Sequence, residues 1–80
     1  MPRYGAVWLE IAREQYASLP ADIQALIDAR VAELLEDPRQ PRSAYDQLTD
    51  QWTTTYGGGA GLILFAVAPE RQRVIILRLV

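Results

Sequence analysis

The stretch WTTTYGGGAGLILFAV, from Trp52 to Val67, reads as two strands folded back on each other around a glycine cluster. QWTTTY ahead of the glycines and GLILFAV behind them are rich in β-branched, aromatic and aliphatic residues, and GGGA between them is short enough for a hairpin loop. Phosphate cradles built from glycine lead from a strand into a helix, whose N-terminus then faces the anion. Gly57, Gly58, Gly59 and Gly61 instead lie between strand and strand, so the spacing predicts a turn that needs positive φ. Within the first strand, Trp52, Thr54 and Tyr56 share one parity and Thr53 and Thr55 the other. The aromatic pair is assigned to the core and the two threonines to the opposite face.

Working outward, RVIILRLV follows after APERQ and completes a three-stranded antiparallel meander. Upstream, YGAVWL (Tyr4 to Leu9) alternates weakly and reads as a first strand. From Glu10 the period changes: Ile11, Ala12, Gln15, Tyr16 and Leu19 fall at helical spacing, predicting a helix to about Ala17. SLPAD then supplies a break and a new start, with a proline suited to a first turn and an aspartate favoured by the positive end of the helix dipole. In the second helix Ile23, Leu26, Ile27, Val31, Leu34 and Leu35 recur at intervals of three and four. Asp22, Asp28, Arg30, Glu33 and Glu36 are assigned to its outer surface. The helix is expected to end before Pro38, and DPRQPRSAYDQLTD reads as a loop of about a dozen residues, a length that often carries function. The order β-α-α-β-β-β implies one two-layer α+β domain over residues 1–80, a helical hairpin packed on one face of an antiparallel sheet.

Composition narrows the chemistry. Half of the 80 residues are apolar, enough for a small core. No apolar run reaches the roughly 20 residues of a membrane span, and MPRYGAVWLE lacks the pattern of a secretory signal, so the expected location is the cytoplasm and no membrane partner is expected. The sequence has no cysteine, histidine or lysine. Disulfides, thiolate nucleophiles, imidazole bases and Schiff-base mechanisms are thereby excluded. Eight arginines against ten carboxylates leave a net charge of −2, opposite in sign to most proteins that grip nucleic acid by its phosphates. Glu10 with Glu14, and Asp46 with Asp50, have the i,i+4 spacing of a metal or acid–base pair. The first pair also fits a solvated helix face and the second fits turn-stabilising aspartates. No metal or cofactor is expected.

Arg78 is the residue that stands out. Simple alternation in RVIILRLV puts Ile75, Leu77 and Leu79 on one face and Val74, Ile76, Arg78 and Val80 on the other, leaving the guanidinium among apolar neighbours. Two accounts fit: fork-like binding of a phosphate or carboxylate, or pairing with Asp46 or Asp50 across the sheet. Tyr45, Trp52 and Tyr56 likewise fit either base stacking or core packing. Arg78 is expected to share a face with Thr53 and Thr55.

The ordered set of segments resembles the RelE/ParE superfamily of toxins from bacterial type II toxin–antitoxin systems. The resemblance rests on VWLEIAREQYASLP, LLEDPR at the end of the second helix, the aromatic–glycine turn at Tyr56 and Gly57, and the closing VIILRLV with its arginine, and it spans Tyr4 to Val80. It implies a small cytosolic, growth-inhibiting toxin neutralised by a cognate antitoxin that wraps around it. RelE-like members are mRNA interferases that cleave messenger RNA on the ribosome without a metal, using basic and tyrosine side chains on the exposed sheet face. ParE-like members inhibit DNA gyrase and are not nucleases.

Carried over by position, Arg78 matches the last-strand arginine that contacts the phosphate at the cleavage point, and is the expected catalytic residue. Arg42, Tyr45, Thr53 and Thr55 are the expected substrate-binding residues, with Arg39 beside them. Thr53 and Thr55 occupy places where the nucleases usually carry basic residues, Ala60 and Gly61 replace an aromatic–basic pair, and the sequence ends at Val80 without a following tyrosine or histidine. The resemblance therefore implies a ribosome-dependent mRNA endoribonuclease with few of its charges. The alternatives are a non-catalytic toxin directed at gyrase, or a degenerate toxin-fold homodimer that uses Leu62, Leu64, Ile76 and Val80 as its apolar surface.

Overall fold

Glu10–Ala17 (α1) and Ala21–Glu36 (α2) form the helical hairpin in the computed structural model, which describes residues 3–39 and 43–80. Pro20 is extended at the cap of α2, and its carbonyl accepts the amide of Gln24 as the first helical hydrogen bond. Pro38, two residues past Glu36, stops the helix as its geometry requires. Around the hairpin run β1 (Gly5–Trp8), β2 (Ala44–Asp46), β3 (Gln51–Tyr56), β4 (Gly61–Ala68) and β5 (Arg73–Leu79), joined in one sheet of order β1-β5-β4-β3-β2. Both helices lie on one face.

Two features correct the sequence reading of the sheet. The loop before Gln51 contains the short edge strand β2, paired antiparallel to β3 with Ala44 opposite Thr53 and Tyr45 opposite Trp52. The sheet is also mixed, because β1 runs parallel to β5, Gly5 opposite Arg73 and Trp8 opposite Ile76. The α1–α2 hairpin lies within the long connection between these strands, as a parallel neighbour demands.

The core forms between α2 and the sheet. Ile27, Val31 and Leu34 of α2 meet Ile63, Phe65, Val74, Ile76 and Leu79, with Ala12 from α1 and Tyr56 from β3. Each of the large aliphatic side chains contributes on the order of 2 kcal/mol by leaving water. Positions 27, 30, 31 and 34 are one helical stripe, so Arg30 points into this layer rather than outward as its polarity suggested. It is 4% exposed, donates from Nε (3.1 Å) and Nη2 (2.6 Å) to Oγ1 of the equally buried Thr54, and pairs through Nη1 with Glu33 at 3.1 Å. Ile11, by contrast, is exposed.

The last strand departs from simple alternation. Phe65 opposes Ile76 and Leu64 opposes Arg78, so one step along β4 matches two along β5 and Leu77 is the extra residue of a bulge. Val74, Ile76 and Leu79 are consequently all buried, while Arg78 is turned to the other face. Beyond Trp8 the outer edge of β5 loses its strand neighbour, and Gln15 of α1 takes that place. Its Nε2 donates to the Leu79 carbonyl and its Oε1 accepts the Leu79 amide, both at 2.8 Å.

The glycine cluster is the predicted hairpin. Gly57, Gly58 and Gly59 have φ of 60°, 68° and 107°, and the amides of Gly59 and Ala60 donate to the Tyr56 carbonyl. Gly61 opposes Tyr56, whose ring occupies the space a side chain there would need.

Candidate functional site

The face of the sheet away from the helices carries no covering element among the described residues. Its residues follow from strand parity and register. Thr53, Leu64 and Arg78 form one row across β3, β4 and β5, and Thr55 opposes Leu62 in the next. Leu62 also exchanges two backbone hydrogen bonds with Val80, at 3.0 and 2.9 Å, extending that row. Toward the β1 edge, Ala66, Ile75 and Val7 make a third.

Thus Arg78, Thr53 and Thr55 share the open face as expected. The bulge at Leu77 is what puts Arg78 there while leaving Ile76 fully buried, so Ile76 is not part of any exposed apolar surface. Neither aspartate pairs with Arg78. Asp46 stands at the far edge of the sheet, three strands away or about 14 Å at the usual strand spacing, and its Oδ1 accepts the Leu48 amide. Asp50 accepts the Tyr45 hydroxyl at 2.6 Å.

The remaining expected site residues are placed elsewhere. Tyr45 pairs with Trp52, whose parity is that of Thr54 and Tyr56, so it belongs to the helix side of the sheet, opposite Arg78. Its direction depends on β2, a three-residue strand too short to show a period. Arg39 lies with Tyr45 at that end. Arg42 lies outside the described residues. Ala60 and Gly61 belong to the hairpin turn and its first paired residue.

The chemistry open to this face is anion binding against a partly apolar surface. Arg78 brings a permanently charged fork with five donors, and Thr53 and Thr55 bring neutral hydroxyls. At the β1 edge Val7, Leu9, Ala68 and Ile75 line a shallow groove of about 680 Å³, with Arg71 and Arg73 at its rim. Among the described residues no three acidic side chains gather as a metal site. The row from Thr53 to Arg78 contains no group able to take or give a proton near neutral pH. Missed by sequence reasoning was the Arg30–Thr54 contact directly beneath Thr53 and Thr55, although the 27-30-31-34 spacing carried that signal.

Comparison by sequence finds no matching family model and no matching curated protein. Comparison by structure defines the class: the chain has a RelE-like toxin fold, two helices on a five-stranded mixed sheet. Among the similar structures is the intact E. coli RelBE toxin–antitoxin complex, with a TM-score of 0.83 and 17% identity over 95% of this chain and 93% of that one. The RelBE2 complex of Mycobacterium tuberculosis gives 0.80 and 21% identity, covering 96% and 95%. The archaeal RelE–RelB complex of Pyrococcus horikoshii gives 0.73 and 18%, covering 99% and 93%. At these identities the likeness is one of fold. Among the described residues, no helix is long and apolar enough to cross a membrane.

Proposed function

We propose that this chain is the toxin of a toxin–antitoxin pair, acting in the cytoplasm, and that a cognate antitoxin is its principal partner. The observation that carries the reading is the uncovered sheet face, where Leu62, Leu64, Ile75 and Val80 lie around Arg78 and the second β5 cation, Arg73, stands at the strand's start. Its support from outside the chain is that the RelE structures of the same fold include complexes with RelB antitoxins. Binding, rather than rapid catalysis, is what the face is equipped for. Removing one charge-stabilising contact typically costs about 10²–10³ in rate, and threonines stand at two of the positions where the resemblance calls for cations.

Ribosome-dependent mRNA cleavage is the second reading, favoured by the row in which Arg78 stands two strands from the Thr53 hydroxyl. In it Arg78 holds the phosphate at the cleavage point and Thr53 and Thr55 contact the backbone. The deciding experiment adds purified protein, and Arg78→Ala alongside, to a bacterial cell-free translation reaction and maps messenger RNA ends by primer extension. New ends that require ribosomes and vanish in the variant would establish cleavage at Arg78. Intact messenger, together with growth inhibition that a co-expressed antitoxin relieves, would establish a binding toxin and make gyrase the first target to assay. Growth unaffected by the induced chain would reject the toxin reading, and light scattering would then test a homodimer built on the open face.

A further inference from the structure

On the helix side of the sheet, away from Arg78, a cleft of about 390 Å³ is lined by Arg39, Tyr45, Asp50, Trp52, Val67 and Pro69. Its wall is a cross-strand aromatic ladder. Tyr45 and Trp52 lie 4.9 Å apart between ring centroids at 47°, and Trp52 stacks beside Phe65 at 6.2 Å and 16°. Phe65 is fully buried and anchors the ladder, whereas Tyr45 is about half exposed. Exposed aromatic surface of this kind stacks on flat, conjugated ligands such as nucleobases.

Two opposite charges flank the rings. Asp50 has φ of 54°, a left-handed conformation that aspartate tolerates better than most residues. The Tyr45 hydroxyl holds its Oδ1 at 2.6 Å, which steadies the carboxylate and leaves Oδ2 to accept from a ligand. Arg39 is exposed, its backbone amide donates to Asp37 Oδ1, and among the described residues its guanidinium has no ion pair. A purely anionic ligand would be opposed by Asp50 and a purely cationic one by Arg39. A flat ring with N–H donors on one edge and an anionic group at the other end satisfies both.

We infer that this cleft is a nucleotide site, with the base stacked on Trp52 and Tyr45, its N–H edge on Asp50 and its phosphate on Arg39. Guanine is the preferred base, because N1–H and the exocyclic amino group present two adjacent donors to one carboxylate. Adenine and cytosine present one amino group, and uracil presents a single N–H flanked by carbonyls that an aspartate repels. The site lies across the sheet from the open face and does not depend on the toxin reading. Its ligand is either a free mononucleotide or a guanosine within single-stranded RNA.

The test uses the full chain with Trp8→Phe, so that Trp52 is the remaining tryptophan, and follows its fluorescence during titration. Guanosine 5′-monophosphate should quench saturably and at least about tenfold more tightly than uridine 5′-monophosphate, in line with one paired recognition contact. Asp50→Asn keeps a residue suited to φ of 54° and should bring that ratio close to one. Arg39→Gln should weaken both nucleotides together. Circular dichroism and thermal midpoints of each variant establish that the fold is retained, and Tyr45→Phe, which frees the carboxylate, should weaken guanosine selectively as an independent check. A uridine hexamer carrying one guanosine that binds more tightly than the mononucleotide identifies RNA as the source; equal or weaker binding identifies the free nucleotide. No saturable quenching by millimolar nucleotide, equal affinity for guanosine and uridine, or a preference that survives Asp50→Asn overturns the inference.

Discussion

Arg30 and Thr54 join the second helix to the middle of the sheet: two donors of one guanidinium, Nε and Nη2, converge on a single buried hydroxyl oxygen. Thr54→Val keeps the shape of the side chain and removes that acceptor, leaving charged donors facing an apolar group. Destabilisation of about 2–3 kcal/mol is expected in urea unfolding. Arg30→Met combined with Thr54→Val should recover much of the loss, since an apolar pair replaces the polar one. Additive effects of the two changes would show that the contact carries no coupling.

Gln15 completes the edge of the last strand by hydrogen bonding both backbone groups of Leu79. Gln15→Ala should cost about 1–3 kcal/mol by leaving those groups without this partner. Native-state hydrogen exchange should localise the change, with the Leu79 amide exchanging far faster while amides of β3 keep their protection. Unchanged exchange at Leu79 would mean that water replaces the side chain at no cost.

Two glycines of the hairpin should respond to alanine for different reasons. At Gly58 there is open space but φ is 68°, so Gly58→Ala is expected to cost about 1–2 kcal/mol of backbone strain. At Gly61 the obstacle is the Tyr56 ring, and Gly61→Ala should cost about 1–3 kcal/mol through overpacking. Repeating both in a Tyr56→Val background separates the causes. The Gly61 penalty should shrink and the Gly58 penalty should remain, as read from thermal midpoints.

The hydrogen bond to Asp50, helped by partial desolvation and by the nearby Asp50 and Asp46 charges, raises the Tyr45 phenol above its ordinary value of 10.0. Asp28 does the same for Tyr16. The folded chain therefore holds these protons more tightly than the unfolded chain does. Their contribution to stability is complete below about pH 10 and disappears as pH rises through the raised values. In a tyrosinate absorbance titration, Tyr45→Phe and Tyr16→Phe should each delete a late-ionising component. A titration curve that keeps both late components in the double variant would contradict these pairings.

Strong local signals made most of the architecture readable from the residues. Both helices, the glycine hairpin and the opposed faces of Trp52-Thr54-Tyr56 and Thr53-Thr55 rest on periodicity within a dozen residues. What stayed hidden depends on partners distant in the chain or on a single residue. β2 is three residues long and shows no period of its own, and without it the side taken by Tyr45 is undetermined. The parallel pairing of β1 with β5 links opposite ends of the sequence. In the uniformly apolar run before Arg78, one extra leucine leaves no trace in the pattern, yet it decides which face the arginine occupies. For Arg30, charge points outward and spacing inward, and the spacing it shares with Ile27, Val31 and Leu34 prevails because Thr54 and Glu33 accept its donors.

The order in which the strands are made sets when this fold can exist. β5 is synthesised after every other strand and yet sits between β1 and β4, receiving core side chains from both helices. Until it leaves the ribosome, β1 has no strand beside it, the inner edge of β4 is unpaired, and Gln15 has no backbone to hold. The closure between β1 and β5 spans the longest stretch of chain of any strand pair in the sheet, and so carries its largest loop-entropy cost. Because β5 bears Arg78, the open face with its arginine is assembled only after synthesis has passed this strand.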